Sequence, residues 1–122
     1  MEVRRAMLLH IISKSAWAAA KQSSEYSGDT LATEGFIHCS TPEQVVEVAN
    51  LRFSGRNDLC LLVIDPTRVK PKVIYEDGGN GKLYPHIYGP LNLSAVKSVV
   101  AFTPLADGTF MLPSELTESV SS

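Results

Sequence analysis

The run Leu59-Cys60-Leu61-Leu62-Val63-Ile64 limits the fold more than any other stretch of the chain. It has no polar interruption, is too short for most helices, and stops at Asp65-Pro66. Such a run predicts a central strand covered on both faces. A chain of 122 residues is expected to form one domain that needs no disulfide or metal to fold. Its ordered core is predicted over about residues 7–113, with a loose lead-in at Met1–Ala6 and a fraying Ser-rich tail.

A second constraint is the stretch from Glu34 to Gln44. Phe36, His38 and Ser40 alternate with Ile37 and Cys39, as a pleated strand requires. Thr41 then suits a helix N-cap, Pro42 the first helical position and Gln44 the capping-box partner. The helix that follows carries Val45, Val48, Ala49 and Phe53 at helical spacing and ends near Ser54-Gly55. A histidine and a thiol thus sit at a strand end beside free helix N–H groups, a common place for a site.

Met7–Ile12 reads as a first buried strand, and Ser13 as the cap of a short helix through Lys21 with Ala16, Trp17 and Ala20 on one face. Gln22–Thr33 is polar and reads as a loop. Lys72–Glu76 and Tyr84–Tyr88 flank Asp77-Gly78-Gly79-Asn80-Gly81, a natural hairpin tip. Pro85 lacks a donor and is expected at an edge or at the start of pairing. Leu93–Val96 suits one helical turn and Ser98–Thr103 a strand. Ala106-Asp107-Gly108 turns into a closing strand at Thr109–Leu112, and at most a short helix follows Pro113. The expectation is an α+β domain: a split, mostly antiparallel sheet of six or seven short strands with two helices near the N-terminal half.

Composition narrows the function classes. The net charge of −2 and the absence of any run of like charge give no basic field for nucleic acid or an anionic membrane. No stretch approaches the length of a membrane span, and Met7–Ile12 is too short for the core of a signal peptide. Cys39 and Cys60 lie in apolar runs, as reduced buried thiols of a cytoplasmic protein would. Cys39 alternates away from His38, so it is expected on the opposite face as an inert thiol.

The three histidines each interrupt an apolar strand: Leu9-His10-Ile11, Ile37-His38-Cys39 and Pro85-His86-Ile87. Taken singly, each fits a core histidine bonded to a backbone carbonyl. Taken together, they suggest a shared cleft. No His-x-x-x-His or Cys-x-x-Cys spacing draws metal ligands together, so no metal is expected. Trp17, Tyr26, Tyr84 and Tyr88 suit either packing or stacking on a ring.

Leu9-His10-Ile11, Trp17, the segment Leu31–Gln44 and the segment Pro85-His86-Ile87-Tyr88-Gly89-Pro90-Leu91 resemble the domain-of-unknown-function family 952, from about Leu8 to Leu112. That family consists of small, mostly bacterial proteins without an established activity. Its fold is similar to that of the ADP-ribosyltransferases, which split NAD at the nicotinamide–ribose bond, and the RNA 2′-phosphotransferases share that architecture.

The resemblance implies that His10 matches a first-strand histidine holding a ribose. It also implies that Gly35–Ser40 and its helix match the second motif, and that Tyr88-Gly89-Pro90 matches the end of the third. The expected catalytic glutamate is missing from Leu83-Tyr84-Pro85-His86, and His86 stands in its neighbourhood. Glu76 and Asp77, from the preceding strand and turn, are the carboxylates within range.

The candidate catalytic residues are therefore His86 and His38, and the candidate ligand contacts are His10, Trp17, Ser40 and Tyr88. The expected ligand is a nucleotide or ribose phosphate. The cofactor stays open, with NAD or a related nucleotide the candidate the resemblance implies. The alternatives are an ADP-ribosyltransferase-like or RNA 2′-phosphotransferase-like enzyme acting on NAD-type bonds, an unrelated His-based hydrolase or phosphotransferase, and a non-catalytic interaction domain. The oligomeric state stays open.

Overall fold

The computed structural model describes residues 7–28 and 30–117. The lead-in predicted at Met1–Ala6 and most of the Ser-rich tail lie outside them. Eight strands pair antiparallel throughout: β1 (Leu8–Ser13), β2 (Glu25–Tyr26), β3 (Ile37–His38), β4 (Leu59–Ile64), β5 (Lys72–Asp77), β6 (Leu83–Tyr88), β7 (Leu91–Asn92) and β8 (Val96–Phe102). They form three sheets, ordered β1-β4-β8, β2-β7 and β3-β6-β5.

The apolar run is the central strand β4, and every residue in it is buried. Alternation sends its side chains into two cores. Leu59, Leu61 and Val63 pack with Leu9, Val45, Ala49, Phe102 and Phe110 on one face. Cys60, Leu62 and Ile64 pack with Leu8, Ile12, Ile37, Cys39 and Ile87 on the other. The first core is covered by a helix, the second by the β3-β6-β5 sheet. Burying a Leu or Ile side chain contributes roughly 1.5–3 kcal/mol, so β4 anchors both layers.

Four α-helices are present among the described residues, not two: α1 (Lys14–Ala20), α2 (Thr30–Glu34), α3 (Val45–Arg52) and α4 (Ser114–Thr117). Ser13 caps α1 as expected, its hydroxyl accepting from the Ala16 N–H at 3.1 Å. The Gln22–Thr33 segment is not one loop. It holds β2, whose partner β7 lies far along the chain, and the start of the single-turn α2. Its two large apolar residues, Tyr26 and Leu31, pack on the second core.

Pro42 does not open α3, which begins at Val45. The Thr41 carbonyl accepts from both Gln44 and Val45, a tight entry turn preceding the helix. The Gln44 side chain still closes half of the capping box: its Oε1 accepts from the Thr41 N–H at 3.1 Å, while its amide donates to the Leu83 carbonyl at 2.6 Å.

Pro85 lies in β6, the middle strand of its sheet, opposite Tyr75, at the residue where β6 starts to pair with β3, one of the two places expected for it. Its carbonyl accepts from Cys39 just past the end of β3, so the missing N–H falls where the neighbouring strand has run out. One other expectation fails: Thr109–Leu112 is not a strand. The Phe110 N–H donates to the Asn50 side chain of α3 at 2.7 Å, and this docks the segment on the helix rather than on a sheet. Among the described residues no helix is long and apolar enough to cross a membrane.

Candidate functional site

The cleft is produced by β3 changing partners. Ile37 and His38 pair with Ile87 and His86 of β6, and the Cys39 N–H still reaches the Pro85 carbonyl. One residue later Ser40 pairs with Leu9 of β1 through two bonds of 2.8 Å. Continued pairing would set Ile11 opposite His38, but His38 belongs to the other sheet, so the two strands diverge. Leu9 spends its N–H and C=O on Ser40; by the alternation of an antiparallel ladder, Ile11 also turns its own away from β4 and toward the gap. The gap belongs to a cleft of about 860 Å³, lined by His10, Ser40, His38, His86, Phe36 and Arg52 among others. That volume falls within the ordinary range of small-molecule pockets.

The three histidines meet there in three different states. His10 is saturated: Nδ1 lies 2.6 Å from the His38 carbonyl and Nε2 2.9 Å from the Tyr26 hydroxyl. A carbonyl only accepts, so Nδ1 carries the proton and Nε2 accepts from the tyrosine. The ring thereby bridges the base of the gap.

His38 is half exposed, with Nε2 donating to Glu34 at 3.0 Å. His86 is buried, its side chain 7% exposed, with Nδ1 at 2.8 Å from Glu76 Oε1. Phe36 stacks on its face at 4.0 Å and 16°, and the His38 ring meets its edge at 5.3 Å.

Glu76 is the carboxylate the sequence left open. The Tyr88 hydroxyl donates to its Oε1 at 2.5 Å, and this bond, then the one from His86, holds its carboxyl below the usual carboxylate range. Ionised Glu76 only accepts, so Nδ1 of His86 carries a proton, and in the neutral ring Nε2 then holds the lone pair. Asp77 lines the cleft too, but its carboxylate accepts from the Gly79 and Gly81 N–H groups of the hairpin tip.

Ser40 is buried, and its hydroxyl has no hydrogen-bond partner among the described residues. Arg52, on the last turn of α3, likewise has no charge partner among them. Trp17 and Tyr88 do not line the cleft: Trp17 packs against the second core, and Tyr88 reaches the site only through Glu76 and Phe36. Cys39 points into the second core, where burial pushes its thiol up to about 12, so it is no nucleophile at neutral pH. No group of three metal-ligating side chains forms among the described residues.

Sequence reasoning missed Glu34, Phe36 and Tyr26 as partners of the histidines. Strand register was the available signal: a hairpin tip at Asp77–Gly81 sets Glu76 opposite Tyr84, and so on the same face as His86.

A small α+β protein with a histidine-lined cleft between two antiparallel sheets is the class this fold and site define. The chain belongs to the family described as protein of unknown function DUF952, which it matches over residues 11–99. It is similar to the protein CC0527 from Caulobacter crescentus. The crystal structure of that protein is 31% identical, covers 91% of this chain and 98% of its own, and gives a TM-score of 0.83. A double mutant of the same protein gives 0.82 at the same identity and coverage. Its solution structure gives 0.79, with 31% identity over 90% of this chain and 96% of that one. No curated protein matches the chain.

Proposed function

We propose that the cleft binds a nucleotide or ribose-phosphate ligand. The observation that carries this reading is the convergence of His10, His38 and His86, on three strands of two sheets, around one cleft. Its groups suit such a ligand. Arg52 matches a phosphate, the Ser40 hydroxyl matches a ribose, and the edge of β1 at Ile11 offers a donor and an acceptor to a base or carboxamide. The parting of β1 from β3 also supports an ADP-ribosyltransferase-like reading of the fold. Within this reading His86 and His38 are the residues that act, Ser40 is a direct contact, and His10 holds the wall. Tyr88 acts through Glu76, and Trp17 has no part. Cys39 and Cys60, both free and buried, support a reducing, cytoplasmic setting.

A second reading, that the site is catalytic, is favoured by the carboxylate of Glu76 on His86. A thermal-shift screen of AMP, ribose 5-phosphate and NAD analogues tests the binding. A ligand at about ten times its Kd should stabilise the wild type by roughly 1.4 kcal/mol, a shift of about 3–6 °C for a domain of this size. His86→Ala should abolish the shift. A wild type that responds to none of these compounds contradicts the reading.

A further inference from the structure

Nε2 of His86 is the reactive atom in the cleft without an assigned use. The ring is buried, stacked on Phe36, and fixed at Nδ1 by Glu76. Glu76 is fixed in turn by Tyr88. No described residue donates to Nε2 or accepts from it. A structural histidine uses both nitrogens, as His10 does in the same cleft. His86 instead pairs a tautomer set by a carboxylate with an open lone pair, the arrangement a general base requires.

We propose that His86 is the proton acceptor of a phosphoester-transfer site, with Glu76 as its positioning residue. This rests on the ribose-phosphate reading of the cleft. In the step proposed, a water or hydroxyl oxygen bonds to phosphorus and gives its proton to His86 Nε2. The P–O bond to the leaving group breaks, and that oxygen departs with the electron pair. Glu76 stays ionised and steadies the imidazolium through Nδ1–H. The proton on Nε2 then passes to the leaving oxygen or to water, which restores the neutral ring. Arg52 stands in the same cleft as a charge for the phosphoryl oxygens.

The probe is thymidine 5′-(p-nitrophenyl phosphate), a nucleotide phosphodiester that releases coloured p-nitrophenolate. The folded wild type is expected to hydrolyse it faster than the same protein denatured. Glu76→Gln should lower kcat about tenfold or more with little change in KM, because it removes the charge behind the base and not a ligand contact. Tyr88→Phe should move kcat the same way by less. Nitrogen-15 spectra of the wild type should show the neutral His86 ring carrying its proton on Nδ1. Hydrolysis no faster than the denatured control overturns the proposal, as does a His86 proton on Nε2 or a Glu76→Gln variant with unchanged kcat. The AMP thermal shift separates the two failures: a shift without hydrolysis leaves ligand binding standing and removes only the dyad.

Discussion

His10 and His86 are both buried histidines on strands, yet their bonding assigns them opposite work. His10 joins the His38 carbonyl to the Tyr26 hydroxyl. Its removal takes a hydrogen bond from each of these part-buried groups, so His10→Ala is expected to cost roughly 1–3 kcal/mol in urea unfolding. A loss near zero would contradict the bridging role. Glu76 yields a pH prediction. Its folded pKa is lowered, chiefly by the Tyr88 hydroxyl and then by His86. The stability this adds is complete above the ordinary carboxylate range and is lost as pH falls through the lowered folded value. Urea midpoints taken downward from about pH 6 should therefore fall less steeply for Glu76→Gln than for the wild type. Parallel curves would mean that the Tyr88 and His86 bonds do not hold this carboxylate in solution.

At the scale of elements, the joint between β6 and β7 depends on Gly89. Its φ is +156°, and a Cβ there would lie 2.9 Å from the Pro71 Cβ. Gly89→Ala should cost roughly 1–3 kcal/mol, measured by thermal or urea unfolding. A variant as stable as the wild type would show that the joint can shift. The elements that could be read from sequence carry their signal locally. Leu59–Ile64 is apolar at every position, Ser13 precedes an Ala-rich turn, and the glycines at 78, 79 and 81 bracket a hairpin. The elements missed are set by distant partners. β2 exists because β7 pairs with it, and Phe110 leaves the strand pattern because Asn50 takes its N–H. The start of α3 moved because Gln44 is drawn to Leu83, a residue no local pattern connects to it.

At the scale of the whole molecule, β4 serves two cores at once, with Leu61 facing one and Leu62 the other. The cleft follows from the same design: the sheet covering the second core is held to the β1 sheet at the Leu9–Ser40 bridge, beyond which the two sheets part. The sequence signal for a shared cleft was that each histidine interrupts an apolar strand, and all three line the cleft. Their division of labour was less legible, because Tyr26 reaches His10 only through the pairing of β2 with β7, whereas Glu34 lies four residues before His38 and Glu76 follows from the hairpin register. The measurement that tests the central claim most directly is a nitrogen-15 amide titration of the wild type with AMP and with ribose 5-phosphate. Saturable shifts are expected at Ile11, His38, Ser40 and His86, around the gap between the two sheets. No saturable shift with either compound, or shifts confined to Glu43, just before α3, and to Glu47 and Asn50 on it, would contradict it.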